Sequence, residues 1–121
     1  MGADEYEDDE GHPIARVRAI DVETKLKGGG AYYGLVIASP LAGDQRSQNR
    51  LLQKLQAYVD DFHSPEFLER SGRPSPQNCH IYVEIHPDSD PVIFELLEKC
   101  RQWVERNGIT FVIETDFKTP H

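Results

Sequence analysis

The chain has 121 residues, 38% of them hydrophobic, and a formal net charge of −8. That is the size of one domain with a modest core, burying roughly 65% of its unfolded surface. It has no Lys/Arg run for nucleic acid or an anionic membrane, no stretch near the about 20 apolar residues of a membrane span, and too few cysteines (two) for a disulfide framework.

The charge is uneven. Asp4, Glu5, Glu7, Asp8, Asp9 and Glu10 precede the first basic residue, Arg16, so the rest of the chain carries 15 acidic against 13 basic residues. Residues 1–13 read as a disordered acidic tail closed by Gly11 and Pro13. A single α/β domain is expected over residues 14–117, with a loose C-terminus at 118–121. The start of the chain lacks a basic region followed by an apolar stretch, so no secretory signal is expected and the location is expected to be cytoplasmic.

Residues 16–25 have strand character through Val17, Ile20 and Val22, although the alternation is broken. Lys27-Gly28-Gly29-Gly30 is a turn. Residues 32–39 form the most apolar run and read as a central strand, so strand, glycine turn and strand make a hairpin. Asp44 caps a helix whose one apolar stripe is Leu51, Leu52, Leu55, Tyr58, Val59 and Phe62. Ser64-Pro65-Glu66 starts a short second helix anchored by Phe67 and Leu68. Residues 71–78 are a loop.

Residues 79–86, Cys-His-Ile-Tyr-Val-Glu-Ile-His, alternate cleanly. Cys79, Ile81, Val83 and Ile85 point one way; His80, Tyr82, Glu84 and His86 point the other. Asp90-Pro91 caps the next helix, with a stripe of Val92, Ile93, Leu96, Leu97, Cys100, Trp103 and Val104. Asn107-Gly108 ends it. Residues 109–115 form the last strand, with Ile109, Phe111 and Ile113 inward and Thr110, Val112 and Glu114 outward. Right-handed crossovers and one polar sheet face then predict a two-layer α/β sandwich, β-β-α-β-α-β, with a mixed sheet in the order 1-2-3-4 and the helices on one face.

Several side chains invite a chemical reading. Glu84 and His86 are two residues apart on one strand face, roughly 7 Å along it, and Glu114 lies on a neighbouring strand; the set suits a divalent metal. Asp44, His86, Asp88 and Asp90 fall at the C-terminal edge of the parallel strands, where open α/β sheets bind ligands, and His86 with Asp88 makes a possible acid–base pair. Ser39 lacks the Gly-x-Ser-x-Gly elbow of a hydrolase nucleophile. The three glycines at 28–30 lie between strands, without the helix N-terminus of a phosphate loop. Cys79 and Cys100 point into the core and read as small hydrophobes. The outward sheet face gathers Tyr32, Val36, Tyr82 and Val112, flanked by His80 and Glu84. An apolar-aromatic patch with a polar rim is the composition of an association surface.

Arg18-Ala19-Ile20-Asp21, Leu35-Val36-Ile37-Ala38-Ser39 and the stretch from Asn49 to Tyr58 (Asn-Arg-Leu-Leu-Gln-Lys-Leu-Gln-Ala-Tyr) resemble a small uncharacterised bacterial α/β family. The likeness spans most of residues 16–114. It implies the same element order and a bacterial origin, and implies no catalytic residue. The expectation is a non-enzymatic, cytoplasmic protein-interaction or regulatory domain, a homodimer, with no cofactor, nucleic acid or membrane partner. Two alternatives stand: a small hydrolase or metal-dependent enzyme at the His86/Asp88 edge, and an acidic immunity or inhibitor protein for a basic partner.

Overall fold

Residues 7–115 are described by a computed structural model. The elements run β1 Val22–Lys25, β2 Ala31–Ile37, α1 Gln45–Phe62, α2 Pro65–Ser71, β3 Cys79–Ile85, α3 Pro91–Arg106 and β4 Thr110–Glu114. The strands form one sheet in the order β1-β2-β3-β4; β1 is antiparallel to β2, and the other two pairings are parallel. The expected α/β sandwich with a mixed four-stranded sheet is therefore the observed one. Each helix links two parallel strands while the sheet grows in one direction, so right-handed crossovers leave the helices on one face.

Local chemistry starts each helix. The Asp44 carboxylate accepts from the Ser47 N–H, the Ser64 hydroxyl from the Phe67 N–H, and the Asp90 carboxylate from the Val92 N–H. Pro65 and Pro91 sit in the first helical turn, where a missing N–H is harmless. Gly30 ends the hairpin turn with φ of 100°, packed so close to the Asn78 backbone that a Cβ has no room.

The core is set by periodicity. Tyr33, Leu35 and Ile37 of β2 and Cys79, Ile81, Val83 and Ile85 of β3 are buried against Leu51, Leu55, Tyr58, Val59 and Phe62 of α1 and Ile93, Leu97, Cys100 and Val104 of α3. Each such side chain contributes about 1.5–3 kcal/mol by leaving water. Tyr33 stacks on Phe62 with ring centroids 4.1 Å apart, and its hydroxyl donates to Asp61.

Four expectations are corrected. Only Val22–Lys25 of the segment 16–25 is a strand; residues 16–21 turn instead, because buried Lys54 donates to the Arg16 and Ala19 carbonyls and draws them away from a ladder. Residues 7–13 are fastened to α1 rather than free: Asp9 pairs with Arg46 at 2.7 Å, and Arg50 Nη1 donates to the Glu7 carbonyl at 2.9 Å. Residues 1–6 of the expected tail, and 118–121, lie outside the described residues. Two leucines expected to pack are exposed: Leu52 lies off the buried stripe of α1, and Leu68, 40% exposed, does not anchor α2, which Phe67 does. On α3, Val92, Leu96 and Trp103 are only partly buried at the margin of the core, as is Ile113 on β4.

Candidate functional site

The sheet face away from the helices carries no covering element among the described residues. Strand register arranges it in three rows. Thr24, Tyr32, His80 and Thr110 form the first, Val22, Gly34, Tyr82 and Val112 the second, and Val36, Glu84 and Glu114 the third. The structure thus brings together all six residues expected there, Tyr32, Val36, His80, Tyr82, Glu84 and Val112. It adds Val22 and Thr24, which the broken alternation of residues 16–25 concealed.

The rings form a cluster. Tyr32 meets His80 edge-on at 4.4 Å and Tyr82 edge-on at 5.5 Å, while His80 and Tyr82 are nearly parallel at 6.2 Å. Such contacts fix side chains in one arrangement and leave apolar edges toward solvent. Val22 is 48% exposed and Val36 38%. Gly34 supplies no side chain in the middle row, and a concavity of about 190 Å³ opens there, lined by Val22, Thr24, Tyr32, Val36, Tyr82 and Glu84. Two features of the face are unsettled in the single chain. His80 Nδ1 is buried with no hydrogen-bond partner among the described residues. Glu84 and Glu114 are direct cross-strand neighbours, a like-charge pairing that disfavours the isolated sheet.

The other candidates are held by structural contacts. His86 Nδ1 accepts from the Asp88 backbone N–H at 3.0 Å, so the two residues meet through a turn and not through the carboxylate. Among the described residues no three or more His, Cys, Asp or Glu side chains are grouped to hold a metal, so Glu84, His86 and Glu114 do not converge. Ser89, adjacent in that turn, is buried and its hydroxyl accepts from the Leu41 N–H at 3.0 Å. Cys79 and Cys100 are free and buried, and burial pushes both thiols up, Cys79 to about 11.

Sequence reasoning missed one serine–histidine contact. His12 Nε2 lies 3.0 Å from Ser47 Oγ. The Ile14 N–H donates to His12 Nδ1 at 2.9 Å, so a neutral ring carries its proton on Nε2, facing the serine. Burial first, then the Arg50 and Arg46 charges, lowers the His12 pKa and favours that neutral ring. Its Nε2 is therefore a donor to Ser47, the reverse of what a general base requires. Hydrogen bonds from Ser47 hold the Asp44 carboxyl below its ordinary value, as befits a helix cap. The pair ties the N-terminal segment to α1.

Comparison with protein-family models, curated proteins and solved structures found no match to this chain.

Proposed function

We propose that this protein is a non-enzymatic association domain that forms a homodimer by packing two open sheet faces together. The observation that carries the reading is the ordered aromatic and aliphatic surface of Tyr32, Val36, Tyr82 and Val112, uncovered by any described element. Apolar faces of this kind gain free energy when a second surface removes them from water.

The row pattern favours a second copy of the chain as the occupant. A two-fold axis lying in the interface and running across the strands superposes the middle row on itself, and the first row on the third. The Tyr82 side chains then meet near the axis, beside the Gly34 concavities. Tyr32 of one copy comes over Val36 of the other, and His80 over Glu84. The imidazole relieves the Glu84–Glu114 repulsion, and no like charges face each other across that pairing. Two buried unpaired thiols suit a reducing compartment, which supports a cytoplasmic location.

A dilution series followed by amide NMR tests the reading. Resonances of β2, β3 and β4 should move with protein concentration, and those on the solvent side of α1 and α3 should stay still. Concentration-independent spectra contradict it.

A further inference from the structure

We infer that a second site, at the end of the sheet where β3 and β4 begin, binds a phosphate-type oxyanion. A cleft of about 510 Å³ opens there between the α1–α2 turn, the loop after α2 and the turn joining α3 to β4. Its lining includes His63, Arg73 and Arg106, with Leu68 and Pro74 beside them, and no acidic residue. In a chain of net charge −8 this is a local reversal of sign. It shares no residue with the open sheet face, so it stands apart from the dimer reading.

The two arginines are available to a ligand. Elsewhere among the described residues Arg16, Arg46, Lys54 and Arg101 each pair with a carboxylate. Among the described residues the Arg73 and Arg106 guanidinium groups make no hydrogen bond or ion pair. Arg106 lies in the last turn of α3, where a cation also complements the helix dipole. Arg73 follows Gly72, the C-cap of α2, at the start of the loop after that helix. The carbonyls that give a helix C-terminus its negative potential are largely occupied here. His63 Nε2 contacts the Asn107 carbonyl at 3.2 Å, Asn107 Nδ2 donates to the Trp103 carbonyl at 2.8 Å, and the Gly108 N–H donates to the Glu105 carbonyl at 3.0 Å. The Glu105 carboxylate is turned to Arg101.

Planar guanidinium groups match the paired oxygens of a phosphate, and two of them distinguish such an anion from chloride. Leu68, 40% exposed, and Pro74 add an apolar wall. The cleft therefore suits a phosphate monoester with a small apolar group, or free phosphate.

The test is an amide-NMR titration of the full chain with phenyl phosphate and, separately, inorganic phosphate, at ionic strength held constant with sodium chloride. Saturable shifts are expected at Leu68, Asn107 and Gly108. Arg73→Ala and Arg106→Ala, both at exposed positions, should each weaken binding at least fivefold and leave the thermal unfolding midpoint in place. Tighter binding of phenyl phosphate than of inorganic phosphate assigns the ester; equal binding assigns the free anion. No saturable shift at the cleft, or unchanged affinity in either variant, overturns the proposal.

Discussion

Lys54 Nζ stands 2.7 Å from Asp21 Oδ1, and the lysine side chain is only 1% exposed. The same ammonium donates to the Ala19 carbonyl at 2.7 Å and to the Arg16 carbonyl. One turn earlier on α1, fully buried Arg50 donates to the Ile14 carbonyl from Nε at 2.9 Å and from Nη2 at 2.7 Å. The two cations hold a segment with little ladder of its own. Each satisfies carbonyls that the core would otherwise strand.

Lys54→Met keeps the side chain's length and apolar volume but leaves the Arg16 and Ala19 carbonyls and the Asp21 carboxylate without their donor. Breaking a buried charged contact in this one-sided way should cost about 3 kcal/mol in urea denaturation. A loss under about 1 kcal/mol would show that the segment 16–21 is held by its own turns.

Ile14 is 2% exposed and packs in the core cluster although it follows Pro13. Ile14→Ala should cost about 2–4 kcal/mol, because the chain either side is pinned by Arg50 and cannot collapse into the cavity. A change within a few tenths of a kcal/mol would mean that the expected tail of residues 1–13 extends past Ile14 into the domain.

Leu97 is fully buried on α3 and Leu96 only partly. Leu97→Ala should therefore destabilise by about 2–5 kcal/mol, and Leu96→Ala by markedly less. Equal losses in chemical denaturation would place the helix in a different rotation about its axis.

Stability should fall above pH 9. Burial pushes the Cys79 thiol from 9.0 up to about 11, and burial also raises the hydroxyls of Tyr58 and Tyr33, the latter with help from Asp61. These acids hold their protons more tightly when folded. Their contribution is complete below the unfolded value and is lost as pH rises through the folded one. The urea midpoint should be flat from pH 7 to 8 and drop between 9 and 11, with a smaller drop in Cys79→Ala. A midpoint constant to pH 11 would contradict the burial of these groups.

How much of this was legible follows from how local each signal is. Alternation in Cys79, Ile81, Val83 and Ile85 exposes both the buried face and, by subtraction, the open one. Asp44, Ser64-Pro65 and Asp90-Pro91 announce helix starts because a cap needs only its own next three residues. The clamp on residues 7–21 was not legible. Most of its acceptors are backbone carbonyls 35 or more residues from their donors, and carbonyls leave no mark in a sequence. A signal did exist in α1. Ser47, Arg50, Lys54 and Tyr58 recur at the same helical spacing as Leu51, Leu55 and Phe62, so the stripe that enters the core includes two cations. The first row of the open face was legible but for one residue: Tyr32, His80 and Thr110 alternate in plain view, while Thr24 belongs to a strand of only four residues.

The central claim is that the open face joins two copies. Sedimentation equilibrium of the wild type and of Tyr82→Glu, across a hundredfold range of concentration, tests it most directly. The account predicts that the wild type reaches twice its 13.8 kDa chain mass. Tyr82→Glu should stay at the single-chain mass with its helical circular dichroism intact, because Tyr82 points away from the helices and a buried aromatic at an interface centre contributes about 2 kcal/mol or more. A wild type that remains at 13.8 kDa at the highest concentration, or a Tyr82→Glu variant that dimerises as the wild type does, contradicts the account.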